Sequence, residues 1–349
     1  MHAIVDHIQP FDLNAGEAMR RYLDTLTKPP GSLGALEALA IQLSAITGEP
    51  KPSVTPPAVV VFAADHGVAV EGVSAFPQEV TAQMVANFAN GGAAINVFAR
   101  QIGALVEIVD VGVAVTLTMA GVTAAKVRHG TANMVEEDAM QSADVIKAID
   151  AGVAAVERAK KAGAKCLIVG EMGIANTTAS SAILAVLTGE SVASVVGAGT
   201  GINPQQQAHK VAVIERAIAA RSADPHAPLA VLAKLGGLEI AAMTGAYLAA
   251  AANRMPAIVD GFIATVAALT ACRLCPAARG YLVFGHRSQE PGHEVALSAL
   301  GVKPLLDMGM RLGEGSGAAL AYPLLKAATA MAAEMATFND AGVSDKDKL

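Results

Sequence analysis

The sequence predicts an α/β protein, a three-layer, doubly wound and mainly parallel sheet of the Rossmann-like kind. A small helical domain is built from the N-terminal region, with the C-terminal helix as a further candidate member. Two observations carry this. Short apolar runs rich in β-branched residues recur at 58–64, 105–111, 165–170, 192–197, 257–260 and 281–285, with a weaker one at 304–307. Runs that are apolar throughout are the mark of parallel strands covered on both faces, and the helical patterning between them supplies the crossovers. The expected division is a helical piece at 1–55, a main α/β domain at 56–320 and a C-terminal helix and tail at 321–349 that pack with the small domain.

Composition narrows the function. Hydrophobic residues make up 53% of the 349 and charged residues 16%, which suits an enzyme with a large buried core. Tryptophan is absent, aromatics are 3% and the net charge is -6. Both base stacking and phosphate-backbone tracking are therefore disfavoured, and no nucleic-acid partner is expected. No uninterrupted apolar window reaches the ~18 residues of a membrane span, so no membrane partner is expected. The first residues lack the basic flank and apolar core of a secretory signal. Three cysteines form no disulfide framework and fit a reducing cytoplasm, the expected location. Cys272 and Cys275 have a metal-like spacing but no second pair, and read as small core residues.

Taken in order, residues 11–47 show helical spacing broken by Lys-Pro-Pro-Gly-Ser-Leu-Gly at 28–34, a rigid loop between two helices. Residues 51–57, rich in proline, read as an extended linker at the domain boundary. Ligands in such folds gather beyond the carboxyl ends of the strands, so the residues just after each run are the candidates for chemistry. The first run ends in Asp65-His66, more simply a turn-capping acid beside a hydrogen-bonded histidine than a catalytic pair. In the next helix Gln83, Asn87 and Asn90 are spaced to share a face and reach into a pocket. After the third run comes Gly-Glu-Met-Gly-Ile-Ala-Asn-Thr-Thr at 170–178, where Asn176 or a threonine can cap the following helix.

The fourth run ends in a glycine-rich turn, Gly197 to Gly201, before a helix holding Lys210. Bare amides at such helix starts favour an oxyanion. The spacing fits neither a dinucleotide fingerprint nor a P-loop, and a monophosphate is the better guess. Residues 285–293 hold His286, Arg287, Glu290 and His293, but Pro291 and Gly292 should break any helix aligning them on a metal, so a polar loop or lid is expected. The tail at 345–349 is charged and expected to fray. Glu314 lies between Gly313 and Gly315, after an apolar run and before an Ala-rich helix. Glycines on both sides let a ligand approach, so the residue suits a catalytic base, and equally a solvated or helix-capping acid.

The ordered set of the 28–34 loop, Ala-Asp-His-Gly-Val at 64–68, the 170–178 stretch, Gly-Thr-Gly at 199–201, Gly-Gly-Leu-Glu-Ile at 236–240, Asp-Gly-Phe at 260–262 and Arg-Leu-Gly-Glu-Gly at 311–315 resembles the nicotinate-nucleotide–dimethylbenzimidazole phosphoribosyltransferase family. The resemblance runs from about residue 12 to about residue 338. It implies transfer of phosphoribose from nicotinate mononucleotide to 5,6-dimethylbenzimidazole in assembly of the cobalamin lower ligand, with no cofactor and no metal. It implies Glu314 as the catalytic base, and Glu171, Gly173, Gly199, Thr200, Gly201 and Lys210 as nucleotide and phosphate contacts. The base pocket it implies takes Ser74, Phe76, Gln83, Met308 and Leu312. It further implies a homodimer, in which the lysine is open to supply from the partner subunit. Relatives that use adenine or a phenol, or a non-catalytic nucleotide-binding protein on the same scaffold, are the alternatives.

Overall fold

In the computed structural model, which describes residues 2–199 and 201–344, β1 (Pro57–Ala64) is buried along its whole length. Its alternate residues feed two cores. Val59, Val61 and Ala63 pack into one apolar cluster, and Val60, Phe62 and Ala64 into another, as the two-residue period of a strand requires. Around it stand β2 (Leu105–Gly112), β3 (Val122–Ala124), β4 (Cys166–Met172), β5 (Ala257–Val259) and β6 (Leu282–Phe284), in spatial order β3-β2-β1-β4-β5-β6 and parallel at each junction. The chain leaves β1 in one direction, then returns past it to β4. That reversal is the topological switch point, where side-by-side strand ends open a crevice.

The helices, in chain order, are α1 (His2–Val5), α2 (Leu13–Leu23), α3 (Ala35–Thr47), α4 (Glu79–Ala89), α5 (Ala94–Ile102), α6 (Ser142–Lys161), α7 (Asn176–Thr188), α8 (Val192–Val195), α9 (Pro204–Arg221), α10 (Pro228–Leu235), α11 (Leu238–Ala252), α12 (Phe262–Leu274), α13 (Pro291–Leu300), α14 (Ser316–Glu334) and α15 (Phe338–Ala341). Residues of α2, α3, α4, α5 and α14 cover one face of the sheet; those of α6, α7, α11 and α12 cover the other. The three layers expected are present.

Three elements differ from expectation. Residues 192–197 form no strand: Ser191 caps the single turn α8 through its side chain, and residues 192–194 are at least partly exposed. A run this short cannot separate strand from helix by composition, and the capping serine decides it. β3 has no counterpart among the expected runs, because Val-Thr-Ala is too short to signal one. The weak run near 304–307 does pair, but β8 (Leu306–Asp307) joins β7 (His286–Arg287) in a separate two-stranded ladder.

The proline-rich stretch before β1 is tied down. Tyr322 on α14 holds it through Thr55 Oγ1 (2.7 Å) and the Val54 carbonyl (3.2 Å). The chain ends also meet, Thr27 N donating to the Ala336 carbonyl and Phe338 N to that of Thr25. Residues 345–349, expected to fray, lie outside the described residues, as does Thr200.

Candidate active site

Glu314 sits at the end of the irregular stretch that follows β8, just before α14. Its φ is 64°, between Gly313 at 90° and Gly315 at 86°, so three successive residues take left-handed backbone. The main chain is pressed against β4, where a Cβ on Gly170 would stand 2.1 Å from the Glu314 carbonyl. The side chain is buried, and Oε2 accepts from Ile95 N at 3.3 Å in the first turn of α5. Burial pushes this carboxyl up; the Ile95 amide acts against it and Asp260 adds to it. Glu314 thus caps a helix, although a distant one and not the one it precedes, and its carboxyl is desolvated rather than solvated.

Across Gly313 lies Glu171 at the end of β4, with Glu171 Oε1 2.3 Å from where a Gly313 Cβ would be. Burial, then the charges of Glu239 and Asp260, raise its carboxyl to about 8, so it carries a proton at neutral pH. Asn176 Nδ2 donates to this carboxyl. The expected cap is therefore absent. Neither Asn176 nor a threonine caps α7, which starts after Ala175 at φ 73° without a side-chain cap. The amides flanking Thr177 are taken by backbone carbonyls, Asn176 N by that of Gly173 and Thr178 N by that of Ala175, and Thr177 Oγ1 accepts from Lys210 Nζ at 2.6 Å. Lys210 is buried, and desolvation lowers it to about 8 while Glu290 pulls it back up. It reaches this wall from its own chain.

A cavity of about 450 Å³ joins these groups beyond the strand ends. Glu171, Gly173, Asn176, Thr177 and Gly199 line one part, with Asp260, His286, Ser288, Glu290 and Glu314 opposite or beneath. Phe76, Val80, Met84 and Leu312 make an apolar part. Of the residues implied for the base pocket, Phe76 and Leu312 line the cavity; Ser74, Gln83 and Met308 do not. The helix presents Val80 and Met84 in place of Gln83, Asn87 and Asn90, because Thr81, Val85 and Phe88 face the core and fix its rotation. Lys210 stands behind the wall, and Gly201 is exposed outside it.

Several cavity residues had no individual reading in the sequence. Asp260 follows β5 and accepts from Gly315 N (3.3 Å) and Ala318 N (2.8 Å). Arg311 Nη1 donates to the Gly199 carbonyl, tying the two glycine loops together. Position just after a strand was the available signal for Asp260 and His286. Asp65 and His66 are structural, as expected: Asp65 Oδ2 accepts from Ala114 N, and His66 Nε2 meets Glu239 Oε1 at 2.7 Å in full burial.

The 285–293 segment is also corrected. No helix aligns His286 and Glu290 with His293, as expected, but the segment is not loop throughout: His286–Arg287 form β7 and Pro291 begins α13, where its missing N–H costs nothing. His293 accepts from Ser288 N through Nδ1 and so donates through Nε2 to Thr265 Oγ1, and burial takes its pKa down to about 3. Among the described residues no cluster of three or more His, Cys, Asp or Glu is placed to hold a metal.

Residues 8–343 match a family model described as phosphoribosyltransferase. The chain belongs to the phosphoribosyltransferase family. This phosphoribosyltransferase is 52% identical over 343 residues, 98% of the chain and 97% of the relative, to the nicotinate-nucleotide–dimethylbenzimidazole phosphoribosyltransferase of Chloroflexus aggregans. It is 54% identical over 324 residues to the protein of that name from Pseudomonas aeruginosa, covering 93% and 92% of the two chains. Among solved structures it resembles CobT from Thermus thermophilus with a TM-score of 0.92 at 47% identity, covering 95% of this chain and 99% of that one.

Proposed function

We propose that this phosphoribosyltransferase moves the phosphoribosyl group of nicotinate mononucleotide to 5,6-dimethylbenzimidazole, giving α-ribazole 5′-phosphate and nicotinate, as a cytoplasmic homodimer. The observation that carries this is Glu314: a desolvated carboxylate with raised basicity on the wall of a cavity that has an apolar part and a Lys210–Thr177 part.

Nicotinate on ribose is a pyridinium, so its departure neutralises a positive charge and needs no acid. The bond from C1′ to the nicotinate nitrogen breaks as the benzimidazole nitrogen bonds C1′ from the opposite face, inverting the anomeric carbon. The proton on the other ring nitrogen passes to Glu314. General-base help of this kind contributes about 10²–10⁴-fold, and holding both substrates in line adds to it. Thr177, whose oxygen already accepts from Lys210, keeps its hydroxyl hydrogen for a phosphate oxygen.

A second reading, transfer to another aromatic base, is favoured by the apolar side of the cavity, Phe76, Val80, Met84 and Leu312. Such a wall discriminates only about 1–3 kcal/mol per methyl group. The test is incubation with nicotinate mononucleotide and dimethylbenzimidazole, with products followed by chromatography and mass. α-Ribazole phosphate and nicotinate should appear together; free nicotinate only with adenine or a phenol would move the assignment to the second reading.

A further inference from the structure

Glu314 holds a backbone conformation that side chains avoid, and something outside its own loop must maintain it. Left-handed geometry at a residue with a Cβ costs about 1–2 kcal/mol, and such strain persists only where the surroundings over-determine it. Besides Gly170 and Ile95, the surroundings here include Asp260, just after β5, and His286 on β7. Asp260, 2% exposed at the end of β5, spans the turn: Oδ2 takes Gly315 N and Oδ1 takes Ala318 N, pinning the residue after Glu314 and the first turn of α14 to the sheet.

His286 completes the clamp. Its Nε2 stands 3.4 Å from Asp260 Oδ1, and the ring is 2% exposed. Its place is made by glycines: a Cβ on Gly317 would fall 1.9 Å from the ring Cδ2, and one on Gly261 3.3 Å from Nε2. The backbone of His286 is itself held by pairing with Leu306. Burial alone would favour a neutral imidazole, but the Asp260 carboxylate outweighs it and the pKa rises. Asp260 shares the cavity with Glu171 and Glu314.

We propose that Asp260 and His286 form a positioning pair that holds Glu314 in its catalytic geometry, a role resting on the reading of Glu314 as the base. Asp260 grips the amides around Glu314, and His286 stands beside Asp260 as its ion-pair partner at 3.4 Å, without a side-chain hydrogen bond of its own. Neither is given a bond to make or break in the reaction.

The pair is tested by comparing His286→Ala, His286→Gln and Asp260→Asn with the full-length wild type. His286→Ala should lower kcat on the order of 10²-fold, the scale of a 1 Å misplacement, with KM for nicotinate mononucleotide changed less than about twofold. His286→Gln, which keeps a donor near Nε2, should recover most of the rate. Asp260→Asn turns one acceptor into a donor facing an amide and should match or exceed the alanine variant. A His286→Ala enzyme with unchanged kcat overturns the proposal, as does a parallel fall in kcat and melting temperature that His286→Gln does not relieve. Crystal structures of the variants give a readout independent of turnover. Displacement of the Glu314 carboxylate from Ile95 N supports the pair, and an unmoved Glu314 sinks it. If the wild type does not transfer at all, the proposed function fails, and the crystal structures still decide whether the pair positions Glu314.

Discussion

Glu314 and Lys210 are both buried charges, yet they divide the work differently. Glu314 faces the cavity directly, so replacing its carboxylate with an isosteric amide removes basicity and little else. Glu314→Gln should leave nicotinate mononucleotide affinity nearly intact and lower turnover about 10²–10⁴-fold, which steady-state kinetics with a binding titration can check. Unchanged turnover would remove Glu314 from the role of base. Lys210 sits behind Thr177, and in the proposed reaction it would act on phosphate as a point charge. Lys210→Ala should chiefly weaken mononucleotide binding, and unaltered affinity by calorimetry would place the phosphate elsewhere. Glu314 was legible in the sequence because glycines bracket it. Asp260 is a lone acid after a short strand, and its amide partners lie 55 and 58 residues on.

At the scale of elements, α6 and α11 approach until side chains are excluded. A Cβ on Gly152 would lie 1.9 Å from the Ala242 carbonyl, and one on Gly245 2.1 Å from that of Ile149. Helix propensity alone favours alanine at Gly152 by about 0.8–1.0 kcal/mol. The obstacle is backbone, however, and overpacking typically costs about 1–3 kcal/mol. Gly152→Ala should therefore lower the melting temperature; a rise would show that the helices can part freely. Neither glycine is distinguishable in sequence from one tolerated on a solvent face, because the contact pairs residues about ninety apart, 242 against 152. The misreading of 192–197 has a related cause: in a short apolar run, the cap at Ser191 and the neighbouring elements choose the structure.

For the whole molecule, the acids collected beyond the sheet make stability depend on pH. Glu171 rises from an ordinary 4.5 to about 8, so between those values the folded chain keeps a proton that the unfolded chain releases. Its contribution is fully present below about 4.5 and is lost as pH rises through about 8. Glu171→Gln removes this dependence, and its melting temperature relative to wild type should be higher at about pH 9 than at about pH 5. An equal difference at both would mean that Glu171 titrates normally. The sequence by itself determined the layered α/β class, most of the strands, the N-terminal helical pair and the bracketed Glu314, because apolar periodicity and glycine placement are local properties. Only the tertiary structure decided the strand order and its switch point, the turn of α4 toward Val80 and Met84, and the environment that raises Glu171 and clamps Glu314. Those depend on burial and on partners far apart in the chain, which no local pattern encodes.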